Sequence, residues 1–587
     1  MATHRARSRW NPPAVVVEGE PVSKATLSER MAALHVPGVS IAVIHNDRLD
    51  WARGFGVTQV GGSPITPETL FQAASISKPI TALAVLQLVQ SGRLDLDADV
   101  NEYLKSWKIP ANVFTAQAKV TLRELLNHTA GITVEGFGGY SAGEPLPTLL
   151  QTLDGLPPAN NGPIRVDTAP GTIWRYAGRG YVVLRQILTD VTGHPFEMLM
   201  HDMVLGPIGM EHSTFEQPLP LDRLAGATMP ADREGRTLKH GAWIYPEMAP
   251  DGLWTTASDL ARYAIEVQRS LAGKPNSLLS VPIARLMLTP RLNHWGLGPI
   301  VGDDELHPYF THSGGNYGFP CLLIAYNRSD GAVIMTNGEQ GYELAIGLIR
   351  SIAQEYKWPD FKPVKRRIVA IGPKTLDSFV GAYQSAPDSL FVVTREGHQL
   401  FIQATGHARQ PMFPMSERRF FLKDASPRTF FPRDDEVEIA FNTDAAGKAA
   451  ELDLLENGVR AAGSAKRMED GAARRVMEEM AALEKRFKAQ EPAVGGDSAL
   501  RRLLGELAQG KPDYDRMTTQ LANAVRSVVV LDQQIFSTLG PVVSMSFKRV
   551  APTGVDTYHV VFQTGDAELD ISLQEDGKIR YVRYLPE

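Results

Sequence analysis

The sequence predicts an α/β (α+β) domain built on one antiparallel sheet with a helical cover. A small all-β barrel and a C-terminal α+β domain follow it. Three observations predict this. Strand-like runs stand at both ends of the first 358 residues, with helical segments between them. Short strands separated by turn residues then recur up to residue 468. Past that point an amphipathic helical stretch precedes four further strand candidates.

Taken in order, residues 1–24 are expected as an N-terminal extension, and 25–358 as the first domain. GVSIAVIHN (38–46) reads as a strand and LDWARGFG (49–56) as its hairpin partner. From about residue 72 the period changes: Ile80, Leu83, Leu86, Leu88 and Val89 mark a helix, stopped by Ser91-Gly92. Helices and loops alternate to about 290. LLIAYNRSDGAVIMTNG (322–338) is two apolar runs around a Ser-Asp-Gly turn, and 341–356 is helical again. Residues 359–374, rich in proline and basic residues, read as a linker. Within 375–468, LFVVT, LFIQA, RFFLK, EVEIAFN and ELDLL alternate with turns, which suggests a lipocalin-like barrel. In 469–587, Val476, Met480, Leu483 and Phe487 share one helix face, a second helical region covers 498–538, and strands are expected near 541–549, 557–563, 567–573 and 578–584.

Composition narrows the function. The chain has 587 residues, 43% hydrophobic and 21% charged, so it can bury sizeable cores. Its 60 Lys and Arg nearly balance 66 Asp and Glu, which gives no electrostatic case for nucleic acid. No apolar run approaches the roughly 18 residues of a membrane span. The single cysteine, Cys321, excludes an intramolecular disulfide and a thiolate zinc site. The basic start with Arg5, Arg7 and Arg9 precedes only AVVV, too short for the apolar region of a signal peptide. The protein reads as cytoplasmic as written, or as periplasmic or secreted if a leader has been removed.

The chemistry concentrates at Ser75-Ile76-Ser77-Lys78, the one Ser-x-x-Lys in the chain, placed at a helix start. Residues i and i+3 share a helix face, so Ser75 and Lys78 can touch. A serine needs a base to become a nucleophile. A buried lysine can serve if it is neutral near pH 7, which requires its pKa to fall well below the usual value of about 10.4.

The surrounding segment, FQAASISKPITALAVLQLVQSGRLDLDADVNEYL (71–104), closely resembles the nucleophile segment of the penicillin-binding-protein and class C β-lactamase superfamily of serine hydrolases. VTLRELLNHTAGI (120–132), GTIWRYAGRGYVVL (171–184), GLWTTASDLARY (252–263) and THSGGNYGFPCLLIAY (311–326) resemble further segments of that family, in the same order. The likeness runs over roughly residues 25–356 and does not extend by motif to 375–587. It implies a serine β-lactamase-like fold, with Ser75 the acylated nucleophile, Lys78 sharing or removing its proton, and Tyr176 passing a proton to the leaving group. It implies an oxyanion hole from the backbone N–H groups of Ser75 and Gly315, the latter suited to close backbone approach. His312, Ser313 and Gly314 would form a substrate-binding strand, with His312 holding a substrate carboxylate or tuning Tyr176. No cofactor and no metal are needed.

One departure matters. Relatives acting on peptides or β-lactams usually carry Tyr-x-Asn, whereas here the triplet is Tyr176-Ala177-Gly178. The amide-holding asparagine is absent, which favours an esterase over a β-lactamase or D-aminopeptidase. The substrate is expected to be a small-molecule ester or amide; acyl transfer to a non-water acceptor and a non-enzymatic scaffold are the other readings. The barrel is expected to restrict substrate size. His128 reads as a turn-stabilising histidine, Cys321 as a small buried hydrophobe, Asp303-Asp304-Glu305 as a solvated loop, and Gly314-Gly315 as no phosphate loop, since neither helix nor lysine follows.

Overall fold

A computed structural model of the protein describes residues 15–21, 25–133, 136–302, 306–386, 389–405, 407–423, 437–445, 447–456, 459–460, 464–574 and 576–586. The acidic triplet 303–305 and the arginines at 5, 7 and 9 lie outside them. The chain forms two compact units: one holds Ser23–Lys362, the other joins Pro13–Val22 to Pro363–Glu587.

In the first unit, helix α1 (Leu27–Ala33) opens on a capping box between Thr26 and Glu29. Strands β1 (Gly38–Ile44) and β2 (Leu49–Gly56) form the expected hairpin. Helices α2 (Ser77–Gln90), α3 (Gly178–Thr192) and α4 (Ala257–Leu271) follow, then β3 (Ile300–Val301), β4 (Tyr309–Asn316), β5 (Phe319–Tyr326), β6 (Gly331–Thr336) and α5 (Gly341–Tyr356). The sheet is antiparallel throughout, in the order β2-β1-β6-β5-β4-β3. Strands from both ends of the domain therefore meet at β1 and β6, as the sequence predicts.

The two-residue period sends Leu322 and Ile324 to the face under α1 and α5, and Cys321, Leu323 and Ala325 to the face under α2, α3 and α4. Helix α2 is buried on every side, with Ile80, Ala82, Leu83, Val85 and Leu86 all at or below 1% exposure. At about 1.5–3 kcal/mol for each large aliphatic side chain, that burial pins the helix that starts at Ser77.

In the second unit eight strands close a barrel: β7 (Gly381–Ala386), β8 (Ser389–Glu396), β9 (Gln399–Ala404), β10 (Gln410–Pro414), β11 (Arg419–Phe421), β12 (Val437–Thr443), β13 (Ala449–Glu456) and β14 (Ala465–Arg467). Closure comes from the β12–β13, β13–β14 and β7–β14 pairings. The C-terminal sheet β15 (Val542–Val550), β16 (Asp556–Phe562), β17 (Asp566–Leu573) and β18 (Ile579–Pro586) is a four-strand meander with its own helical cover and core.

The domain limits read from the sequence differ from these units in two places. The stretch read as a linker holds a strand, Val364–Arg366, paired in parallel with Val15–Val17 of the stretch read as an extension. The barrel and the α+β domain also lie in one compact unit, because helix α6 (Asp470–Ala489) belongs to both. Its Ala473, Val476, Met477 and Met480 pack on Ala382 and Val392 of the barrel. Its far end anchors the C-terminal sheet through Arg486 and Asp556, 2.8 Å apart. Among the described residues, no helix is long and apolar enough to cross a membrane.

Candidate active site

The segment before α2 is held on both sides. Phe71–Gln72 pairs with Trp254–Thr255, and the Ala73 N–H donates to the Leu253 carbonyl at 2.8 Å. The chain then turns through Ala74, whose φ of +48° lies in the left-handed region that alanine rarely adopts. Ser75 sits in the single 3₁₀ turn that follows, directly before α2. Ser77 takes no part in the chemistry: its buried Oγ donates to the Ala74 carbonyl and accepts the Leu253 N–H.

Lys78 Nζ donates to Ser75 Oγ at 2.9 Å, to the Pro250 carbonyl at 3.0 Å and to Asp251 Oδ1 at 3.2 Å. Ser75 Oγ in turn donates to Asp251 Oδ1 at 3.1 Å. The turn that carries Asp251 is held by its neighbours: Asn316 Nδ2 on β4 donates to the Asp251 carbonyl, and Thr81 on α2 donates to the Ala249 carbonyl. Burial alone would push the Lys78 amine down. The charge of Asp251, with the hydrogen bonds to Asp251 and Tyr176, outweighs it and holds the amine above its ordinary value. This corrects the expectation of a depressed lysine. The carboxylate responsible was not among the candidates, because Asp251 lies in the turn-like stretch YPEMAPDG, 173 residues from Lys78, with no spacing that ties it to Ser75 or Lys78.

Tyr176 reaches the same place from the segment before α3. His128 clamps both sides of it: its carbonyl accepts the Arg175 N–H at 2.9 Å, and its Nδ1 accepts the Ala177 N–H at 3.1 Å. The His128 and Tyr176 rings lie 4.4 Å apart, and Lys78 Nζ lies 4.9 Å from the centre of the tyrosine ring. Trp295, wholly buried and not anticipated from the sequence, packs against His128, Tyr176 and His312. Burial raises the Tyr176 phenol above its ordinary value even though Lys78 opposes it, so it remains a protonated donor near neutral pH.

Strand β4 carries the remaining candidates. Gly314 is where the backbone approach is close: a Cβ there would lie 2.2 Å from the Ala73 carbonyl oxygen and 2.5 Å from Cys321 Sγ. At Gly315, where the sequence placed that constraint, the residue is exposed and a Cβ would meet nothing within 4 Å. Ser313 is buried beside them. His312 is fully buried, with Nδ1 2.6 Å from the Ser313 carbonyl. Burial, then the Lys78 charge, push it down to about 3, so it offers no cation to a substrate carboxylate at neutral pH. Cys321 is a buried free thiol, pushed up by burial, and donates to the Ala73 carbonyl.

The buried neutral histidines have a consequence for stability. Above pH about 6.5 both folded and unfolded chains leave His312 neutral. Below it the unfolded chain takes a proton that the folded one refuses, so stability falls as pH drops towards 3, by up to about 1.4 kcal/mol per pH unit for each such histidine. His128 acts in the same direction. Urea unfolding between pH 7 and 4.5 should show this slope, and His312→Gln should reduce it by about one proton. An unchanged slope in the variant would show that His312 titrates normally in the folded state.

Comparison with known proteins matches this chain to a family. The family model described as "Beta-lactamase" matches residues 24–357, and one described as "Domain of unknown function (DUF3471)" matches residues 365–466, the barrel. A penicillin-binding protein of Bacillus subtilis (strain 168) is 24% identical over 450 residues, covering 72% of this chain and 94% of that protein. Penicillin-binding protein 4 of Amycolatopsis lactamdurans is 26% identical over 366 residues, covering 57% and 91%. In fold, the octameric penicillin-binding protein homologue from Pyrococcus abyssi aligns with a TM-score of 0.50 at 24% identity, covering 75% of this chain and 98% of that one.

Proposed function

The chain belongs to the beta-lactamase family, and on that premise we propose that it is a serine hydrolase that forms an acyl-enzyme on Ser75 and acts on small uncharged esters in preference to β-lactams or peptides. The observation that carries this reading is the contact of Ser75 Oγ with the buried Lys78 ammonium at 2.9 Å, beside a protonated Tyr176. Ser75 attacks the acyl carbon, and Tyr176 protonates the departing alcohol. The backbone N–H groups of Ser75 and Gly315 are the proposed oxyanion donors.

The substrate preference rests on what surrounds the serine. Gly178, at the start of α3, has no side chain to hold a substrate amide. The Lys78 charge is already balanced by Asp251, and His312 is neutral. None of these residues leaves a positive charge for the carboxylate that penicillins and peptide C-termini carry.

The test compares kcat/KM on p-nitrophenyl butyrate with that on nitrocefin. The ester should be favoured, and Gly178→Asn should move the ratio towards the β-lactam. A preference for nitrocefin in the unaltered protein would overturn the substrate class.

A further inference from the structure

We infer that Gln217 is a positioning residue of this site: its side-chain amide ties together the two ends of the turn Tyr245–Gly252, and so holds the Pro250 carbonyl and the Asp251 carboxylate against Lys78. This rests on the acyl-enzyme reading proposed above and deepens it. Gln217 has this role whichever group receives the Ser75 proton, because it sets the place of the lysine's partners and not the route of the proton.

The turn is both needed and strained. It brings two groups to Lys78 Nζ, the Pro250 carbonyl at 3.0 Å and Asp251 Oδ1 at 3.2 Å. Its path is tight: the Met248 N–H donates to the Tyr245 carbonyl at 3.0 Å, and the Gly252 N–H donates to the Met248 carbonyl at 2.7 Å. A Cβ on Gly252 would lie 2.6 Å from Met248 Cα, so the chain passes itself there closely enough to need glycine. Met248 has a φ of +57°, in the left-handed region. A bulky residue persists there only when its surroundings over-determine it.

Gln217 supplies that constraint. Its Oε1 accepts the Tyr245 N–H at 3.1 Å, and its Nε2 donates to the Gly252 carbonyl at 2.7 Å. These partners fix the orientation of the amide, since an N–H can only donate and a carbonyl can only accept. Glutamate would lack the donor and lysine the acceptor. The bonds from Arg185 to the Pro246 carbonyl, from Thr81 to the Ala249 carbonyl and from Asn316 to the Asp251 carbonyl each fix one point of the turn. Gln217 fixes both ends at once and closes the loop across the strain at Met248.

Gln217 is itself well held. Three residues before it, Thr214 and Trp254 exchange both backbone hydrogen bonds at 2.9 Å. Trp254 also pairs with Gln72, just ahead of Ser75. The clamp, the turn and the nucleophile segment thus hang on one short stretch of backbone pairing. Losing the clamp would let Met248 move to ordinary backbone angles and draw Pro250 and Asp251 away from Lys78. A misplacement of about 1 Å can cost about 10²-fold in rate.

The experiment measures the rate of Ser75 labelling by a fluorophosphonate, by intact mass and peptide mapping, in the full-length protein and in Gln217→Met, which keeps the length of the side chain and removes both hydrogen bonds. Labelling should slow about 10–10²-fold. On p-nitrophenyl butyrate the loss should fall on kcat, because the amide meets the turn and not the substrate. Adding Met248→Gly should recover about fivefold or more, since glycine adopts the left-handed region without strain and leaves the turn nothing to relax from. Gln217→Glu keeps the Tyr245 end tied and should label at a rate between the two; it decides by the same criteria if Gln217→Met does not fold. A crystal structure of the folded variant should place Lys78 Nζ beyond the about 4 Å of an ion pair from Asp251. Labelling within about twofold of the unaltered protein, or a Lys78–Asp251 contact kept at its original length, overturns the inference. A loss carried by KM alone overturns it too, as does slow labelling that Met248→Gly leaves unimproved, the mark of a general loss of structure. Failure of the unaltered protein to label at Ser75 overturns the acyl-enzyme reading instead, and the crystal structure then still decides whether Gln217 holds the turn.

Discussion

Replacing Ser75 by alanine is expected to abolish covalent labelling and to lower kcat/KM on p-nitrophenyl butyrate by about 10⁴-fold or more, since removing a nucleophile that acts as one unit with its neighbours costs nearly the whole chemical step. The expectation is specific to this hydroxyl. Ser77, two residues on, stands next to Lys78 in sequence, but its Oγ is buried and occupied by the Ala74 carbonyl and the Leu253 N–H. Ser313 lies on β4, and its side chain is buried. Only Ser75 is partly exposed and in contact with both Lys78 and Asp251. Intact mass after fluorophosphonate treatment, followed by peptide mapping, checks it. Label on Ser77 or Ser313, or turnover by Ser75→Ala within tenfold of the unaltered protein, would remove the nucleophile from this site.

Elements whose signal is local were readable in the sequence. The β1–β2 hairpin, the apolar helix α2, the β5–β6 pair and the C-terminal meander all carry their own period and turn residues, and they fall where expected. So do barrel strands such as Ser389–Glu396 and Val437–Thr443. Gly381–Ala386 and Gln410–Pro414 were not expected, since GAYQSA is small and polar and QPMFP holds two prolines; tertiary closure makes them strands. Val15–Val17 is a β-branched run, yet nothing local says that it joins Val364–Arg366.

The site divides in the same way. The contact of Ser75 with Lys78 follows from i, i+3 spacing. Tyr176 was named only through the family resemblance of its segment, and the arrival of Asp251 and Trp295 around that pair follows from folding alone, since each comes from a distant loop or turn with no periodicity of its own. The burial of His312 was likewise hidden, because a strand residue's exposure depends on what packs against its face.

Breaking the ion pair at the centre of the site should cost the fold as well as the reaction. Lys78 and Asp251 lie 3.2 Å apart with side chains 1% and 9% exposed. Removing one member of such a pair leaves the other charge buried without compensation, and the usual cost is about 3–5 kcal/mol. Lys78→Met should therefore lower the urea midpoint sharply: the methionine matches the lysine stem in size but leaves the Asp251 carboxylate against Ser75 and the Pro250 carbonyl. Lys78→Met/Asp251→Asn removes both charges together. It should regain much of that stability while staying as inactive as either single variant, because neither a base nor a cation remains beside the serine. The double-mutant cycle reads the coupling directly. A coupling near zero, with Lys78→Met unfolding at the midpoint of the unaltered protein, would mean that no charged pair exists there. A double variant that hydrolyses esters at the original rate would mean that neither residue serves the reaction, and stability without activity is the combination that the buried pair predicts.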